Sequence, residues 1–555
     1  MRNMLTRPTT SATSPRALPV ARALLLAMIS LACAATTAQA FNGPFGTLVT
    51  VEPGVELDVD VRWPNTGSPP AAGWPVIFFA HGGGGDKTTW GPLAGNFADL
   101  GYVTLTYTNR PKEDRSYGVL ASDIVVLKTW LLNDFETEAG VSAPTDTNAY
   151  GMTGNSLGGI TTLSGLLLTN ALATAVPFNW GFHFFVDGVE SNGSLERVTG
   201  ADPAITLSGE YPAVAVDAGF EAVAGPVVAN LSSVTIPVQN HIAMLDGRGV
   251  GSHALSDHLA MTSSSQRMIY LGTGGHNTAN SDVPFREDLR LRWFDHHLKG
   301  VANGIGSEDP IRMALLRTNE HVSYPSWPPP GQTSDTLYLG TSGRLSLNAP
   351  TSSVASDTFE NDPGSFTWST LPNFEDVTLR AAVARDVLRY DSDPLDAEAL
   401  VVGEPSVTLH VAGTGSRYQV NAHLFDVSPT NEPTLLAVGT ATTDLSPTTL
   451  TIPLSVTGRR IPAGHRLRLE ITNRDDQDID PTDGHTPESG ALRYIPFLEF
   501  SSNTVFFDVA RPSSVEIPLV GSAVLPIAPP VPSFSMWGMV FLGLGITGVA
   551  VRHAR

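Results

Sequence analysis

Apolar and polar positions repeat in two different ways along this chain. Up to about residue 310, apolar runs typical of strands alternate with stretches of helical period. Residues 47–51 and 57–62 read as strands, and the second sets Leu57, Val59 and Val61 against acidic neighbours. Residues 76–80, Val-Ile-Phe-Phe-Ala, are apolar throughout, as a strand buried on both faces requires. A helix is expected over 89–100, a strand over 102–107, and a helix over 117–135 with Leu120, Ile124, Leu127 and Leu131 on one face. Strand 148–153, helix 160–168 and strand 181–186 follow. Residues 235–240 resume the sheet and 267–272 are its expected last strand. Strands alternating with helices predict a mainly parallel sheet with right-handed crossovers. Residues 188–234 lack this alternation and are expected to form a short cap.

From 335 to 519 the helical period is gone. Short alternating strands such as 406–411 and 419–427 recur between Gly, Pro, Asn and Asp turns, which predicts an all-β jelly-roll sandwich. Two domains are therefore expected, 41–310 and 311–520.

Two glycine-rich segments give the first half its chemistry. Gly154-Asn155-Ser156-Leu157-Gly158 lies between a strand and a helix, the setting of the nucleophile elbow of an α/β-hydrolase. Upstream, His81-Gly82-Gly83-Gly84-Gly85-Asp86 leaves the buried strand 76–80. Such a loop turns backbone N–H groups inward without side-chain obstruction, as one half of an oxyanion hole does. The expected donors are the N–H groups of Leu157, Gly83 and Gly84, with His81 ordering the loop. A serine needs a base, and the base needs an acid to orient it. In this fold the chain order is Ser, acid, His. His276, in the Gly-rich turn after strand 267–272, is the expected base. Asp246, after the strand at Ile236, is the expected acid, with Asp187 the alternative; Asp257 and Asp282 are expected as solvated loop residues.

Composition narrows the partners. The chain has 555 residues, 42% hydrophobic and 16% charged, which suits a globular protein of several units. A formal net charge of −21 disfavours nucleic acid and acidic membranes. The expected partner is a small-molecule or peptide acyl substrate, with no cofactor and no metal. Asp475, Asp476, Asp478, Asp480 and Asp483 have oxygen ligands for Ca²⁺, but Pro481 stands where an EF-hand loop needs glycine, so a solvated acidic loop is expected.

Both termini read as targeting segments. Arg2, Arg7, Arg16 and Arg22 precede an apolar run and Ala38-Gln39-Ala40, a signal-peptide pattern cut before Phe41 that would also remove the single cysteine, Cys33. A Pro-rich spacer at 521–535 leads to an apolar tail at 536–555 with Trp537, Arg552 and Arg555, a marginal membrane span. It resembles the IPTL-CTERM class of bacterial sorting signals, which implies membrane insertion or recognition by a sorting protease. Export to the periplasm, cell surface or medium is the expected localisation.

A family resemblance spans roughly residues 47 to 510. Arg292-Trp293-Phe294-Asp295, followed by Leu298-Lys299-Gly300, is similar to the helix closing the catalytic domain of X-Pro dipeptidyl-peptidases and cocaine-esterase-like hydrolases. Tyr390-Asp391-Ser392-Asp393-Pro394 and Gly464-His465-Arg466 are similar to segments of that family's C-terminal β-domain. The resemblance implies a serine hydrolase with a Ser-His-Asp triad. Where cocaine-esterase relatives take an oxyanion donor from a tyrosine, this chain has His81 and glycines. Ester hydrolysis is the first expectation and X-Pro dipeptidyl-peptidase activity the second. A surface-displayed binding protein with an inert hydrolase domain is the rival from another class, opposed by the complete Ser, His, acid and glycine set.

Overall fold

The computed structural model describes residues 41–111, 116–181, 228–246, 251–273, 283–318, 320–366, 382–415, 418–443, 446–474, 499–521, 525 and 527. Asp187, His276, the 475–483 acidic cluster, nearly all of the expected cap and both targeting segments lie outside these residues. Among the described residues, no helix is long and apolar enough to cross a membrane.

The first half builds one ten-stranded sheet. Its strands are β1 (Phe41–Glu52), β2 (Val55–Pro64), β3 (Trp74–Ala80), β4 (Val103–Tyr107), β5 (Thr145–Asn155), β6 (Thr174–Phe178), β7 (Val238–Ala243), β8 (Arg267–Gly272), β9 (Ile311–Ala314) and β10 (His321–Tyr324). The order is β1-β2-β4-β3-β5-β6-β7-β8-β9-β10, parallel from β4 to β9 and antiparallel at both edges. The chain leaves β3 for its neighbour β4 on one side and β5 for its neighbour β6 on the other. That divergence opens a crevice between the carboxyl ends of β3 and β5.

Helices cover both faces: α1 (Gly91–Asp99), α2 (Tyr117–Asn133), α3 (Phe135–Ala139), α4 (Leu157–Leu168), α5 (Gly251–Ala260) and α6 (Val283–Lys299). Strand β3 shows why both are needed. Val76, Phe78 and Ala80 join a core with Leu120, Ile124, Leu127 and Leu163 of α2 and α4, while Ile77 and Phe79 pack with Phe97, Trp293 and Phe294 of α1 and α6. The strand period of two thus decides which side each residue takes: in a strand, neighbours face opposite ways.

Two differences from the expected elements have local causes. The strand after the elbow helix is Thr174–Phe178, and Gly181 lies outside any strand. Pro177 sits inside β6 opposite Gly154, a position where proline argues against a strand when read from sequence. The sheet also runs past the boundary expected at 310, because β9 pairs parallel with β8 and β10 folds back on β9.

Residues 333–519 contribute a fourteen-stranded sheet. Among the described residues its pairings are antiparallel except at Arg344↔Asp391. Its core is continuous with the first half: Ile242, Met244, Leu255, Ile269 and Met313 belong to the same apolar cluster as Val401, Leu424, Ile461 and Val505. At the junction, Leu316 N–H donates to Gly458 O at 2.8 Å and Val456 N–H to Ser252 Oγ at 2.8 Å.

The Tyr390-Asp391 and Gly464-His465-Arg466 segments of the β-domain are structural nodes. His465 Nδ1 lies 2.7 Å from Asp426 Oδ1, and the other oxygen of Asp426 accepts from Arg459 Nε and Nη2. Tyr390 donates to Asp357, and Asp391 is gripped by Arg466 and Arg468.

Candidate active site

Ser156 occupies the turn from β5 into α4 with φ 57° and ψ −117°. A residue with a side chain takes such a conformation only where the surroundings over-determine it, at a cost of roughly 1–3 kcal/mol. The surroundings are visible. A Cβ on Gly158 would lie 2.0 Å from Ala80 O, one on Gly154 2.5 Å from Gly158 O, and one on Gly159 2.6 Å from Phe178 O. Only glycine lets the helix start pass so close to β3 and β6. The turn is tied down by Ser156 N–H donating to Phe178 O at 3.0 Å. No side chain caps α4, so the first N–H groups of the helix, Leu157 included, are not satisfied by a cap at this edge.

The glycine loop faces the elbow. A Cβ on Gly82 would be 3.4 Å from Ser156 Cβ and 3.3 Å from Asn155 O. Gly82 to Gly85 form a β-turn closed by Gly85 N–H to Gly82 O at 3.2 Å, with Gly84 at φ 74°. Gly83 and Gly84 are exposed, and a Cβ on either meets nothing within 4 Å. The close approaches in the loop are therefore at Gly82 and Gly85, while the positive φ requires Gly84.

His81 orders this loop. Its Nε2 accepts from the N–H of Asn109 at 2.9 Å, which leaves the proton on Nδ1 to donate to Gly82 O at 2.6 Å. Asn109 Nδ2 returns a bond to His81 O at 3.2 Å. Buried and engaged at both ring nitrogens, His81 holds the backbone and does not face Ser156 as a base. Next along the loop, Asp86 accepts from Thr88 N–H and Oγ, which holds its carboxyl below the ordinary range.

Asp246 follows β7 at the same carboxyl edge of the sheet and is fully buried. Its N–H donates to Ala243 O at 3.2 Å, and Met244 N–H donates to Gly272 O at 2.9 Å, so the exits of β7 and β8 are tied together. His276 comes four residues after Gly272, outside the described residues. Two rival histidines are committed elsewhere. His241 bonds Gln239 inside the sheet, and burial with Arg290 and Arg286 nearby pushes it well below its ordinary pKa. Burial beside Arg267 lowers His258 to about 3. Asp257, expected as a solvated loop residue, is instead buried on α5. The helix opens on Gly251-Ser252-His253, a start that reads as loop in sequence.

Residues not singled out in sequence also build the edge. Asn179, at φ 51°, donates to His241 O at 2.8 Å and accepts from Ala243 N–H at 3.1 Å, bracing the exit of β6 against the strand that leads to Asp246. Lys87 reaches from the glycine loop to Asp58 at 2.6 Å and Asp60 at 2.8 Å. The signal for that contact was the acid alternation of β2 opposite Gly46, which reads equally well as a solvated strand face.

Against known proteins, residues 303–516 match the X-Pro dipeptidyl-peptidase C-terminal non-catalytic domain. A Mycobacterium bovis protein named a serine esterase is 33% identical over 147 residues, 25% of this chain and 23% of that protein. A Streptomyces avermitilis protein named an Xaa-Pro dipeptidyl-peptidase is 25% identical over 319 residues, 46% of this chain and 43% of that one. The chain thus spans about a quarter of the first relative and under half of the second. The crystal structure of a CocE/NonD family hydrolase from Staphylococcus aureus superposes with a TM-score of 0.61 at 14% identity, covering 86% of this chain and 93% of that one. The fold is that of an α/β-hydrolase. More particularly, it is the fold of the CocE/NonD family hydrolase structure, with a β-domain similar to the X-Pro dipeptidyl-peptidase C-terminal domain after the hydrolase sheet.

Proposed function

We propose that this chain is an exported serine hydrolase that cleaves an ester or amide bond through an acyl-enzyme. Ser156 attacks the acyl carbon while His276 takes its proton, and Asp246 orients the imidazole. The N–H groups of Leu157 and Gly83, with Gly84, take up the developing oxyanion charge. His276 then returns the proton to the leaving group, and water releases the acyl group by the same steps. The observation that carries this reading is the strained backbone of Ser156 directly opposite Gly82. Strain of this kind is retained at functional turns where the surroundings enforce it. The serine-esterase and Xaa-Pro dipeptidyl-peptidase relatives support the same reaction class.

A fluorophosphonate probe tests it: wild type is labelled, Ser156→Ala is not, and an unlabelled wild type refutes the reading. Asp246→Asn lowers kcat by roughly 10³–10⁴ while Asp187→Asn stays within a few-fold; the reverse pattern makes Asp187 the acid. Ester hydrolysis is the preferred activity. The match of residues 303–516 favours the second reading, an X-Pro dipeptidyl-peptidase. Aryl esters compared with X-Pro anilides separate the two, and cleavage of the anilides alone overturns the ester preference. Export is tested by the N-terminus of the secreted protein, expected at Phe41.

A further inference from the structure

A loop of four glycines has no side chains with which to hold its own shape, and its backbone has much entropy to lose. This one is held from outside at both ends. At the front, His81 receives the N–H of Asn109. At the back, Lys87 N–H donates to Thr108 Oγ1 at 3.2 Å. Both anchors land on consecutive residues at the exit of β4.

The side chain of Lys87 then runs to the antiparallel edge of the sheet. Its ammonium lies 2.6 Å from Asp58 Oδ1, 2.8 Å from Asp60 Oδ1 and 3.4 Å from Val59 O, all on β2. Thr108 N–H donates to Asp58 O at 2.9 Å, so the same strand supports both contacts. Arg62 also approaches Asp60, at 3.4 Å, leaving two acids matched by two bases. With about 20% of its side chain exposed, and Asp60 at 11%, the Lys87–Asp60 pair is shielded more than an ordinary surface pair. Burial works against the charged Lys87, but its hydrogen bonds to Asp58 and Asp60 outweigh this and hold the ammonium charged above the ordinary range. Gly46 on β1 provides the room: a Cβ there would lie 3.1 Å from Asp60 Oδ1 and 3.4 Å from Lys87 Nζ.

We propose that Lys87, clamped by Asp58 and Asp60 beneath Gly46, is a positioning residue that fixes the glycine loop for oxyanion binding and so couples the β1–β2 edge hairpin to catalysis. The proposal rests on the serine-hydrolase reading above. Lys87 touches no reacting atom; it acts through the N–H groups of the loop.

The test compares wild type with Lys87→Met, Lys87→Arg and Gly46→Val, the last on β1 against the clamp. Four quantities are read: fluorophosphonate labelling, kcat and KM on an aryl ester, the Ki of an alkyl boronic acid, and hydrogen exchange of the peptide spanning 81–90. Lys87→Met is expected to keep its melting temperature within a few degrees, to lower kcat about tenfold with KM within twofold, and to weaken boronic acid binding in proportion to kcat. Exchange rises in the 81–90 peptide and nowhere else. Lys87→Arg restores most of the loss, and Gly46→Val shows a smaller effect of the same sign. Unchanged exchange and unchanged boronic acid affinity in Lys87→Met overturn the proposal, as does a fall in kcat that only tracks the fraction of folded protein. A wild type that takes no fluorophosphonate overturns the hydrolase reading and the catalytic role of the clamp with it. A labelled wild type with an unaffected Lys87→Met removes the clamp alone.

Discussion

The N–H of Ser156 donates to Phe178 O at 3.0 Å, so the strained turn is held by the strand beside it. The hydroxyl plays no part in that bond. Strain and chemistry at this residue are therefore separable by substitution. Ser156→Gly and Ser156→Ala both lose the proposed nucleophile, but only glycine accepts φ 57° and ψ −117° without strain. Relief of about 1–3 kcal/mol is partly offset by the greater freedom of glycine in the unfolded chain. Ser156→Gly is expected to melt about 1–2 °C above Ser156→Ala; equal melting temperatures would show that the turn is not strained.

Gly158→Ala places a methyl 2.0 Å from Ala80 O, a backbone atom that no rotamer change can move. The expected cost is about 3 kcal/mol or more, read as a lower denaturation midpoint, together with loss of probe labelling. Gly83→Ala, with nothing within 4 Å of the added methyl, is expected to leave the midpoint unchanged.

Acid is expected to weaken the fold through buried neutral histidines. His258 titrates at about 3 when folded and near 6.5 when unfolded. Between these values the unfolded chain binds a proton that the folded chain refuses. The contribution is complete above about pH 6.5, falls as pH drops, and levels off below about 3. At pH 4.5 the loss from His258 is roughly 2–3 kcal/mol. His241 acts in the same direction. Melting temperature followed from pH 7 to pH 4.5 checks this, with a shallower decline expected for His258→Gln.

Asp426 lies between Arg459 and His465, and Arg459 Nη1 also donates to Leu316 O at 2.7 Å across the junction of the two halves. Arg459→Met leaves a buried carboxylate without its main partner and is expected to cost about 3–5 kcal/mol. The double variant Arg459→Met, Asp426→Leu is expected to recover part of that loss. A double variant less stable than Arg459→Met would show that the charges hold the junction by more than mutual compensation.

Much of the fold was legible because strand and helix periods differ. The buried run at 76–80, the helix over 117–135 and the strand 267–272 emerge close to their expected bounds, as Trp74–Ala80, Tyr117–Asn133 and Arg267–Gly272. The elbow was legible because its glycines answer a steric demand that any five-residue pattern exposes. What sequence concealed were contacts between distant strands. β6 is masked by Pro177, and the continuation into β9 and β10 depends on pairing that no local period announces. Lys87 and Asp58 stand 29 positions apart, and nothing in either segment names the other.

Strand Thr457–Ile461 of the β-domain meets the first half of the chain through Gly458. A Cβ there would meet Met313 Sδ at 2.2 Å, so the β-domain backbone lies flush against β9 of the hydrolase sheet. Together with an apolar cluster that draws on both halves, this predicts that the described parts of the two halves unfold together. Calorimetry should record a single endotherm. Cutting the chain near residue 310 would not release an enzyme from an accessory module; it would expose the wall against which β7, β8 and β9 are folded.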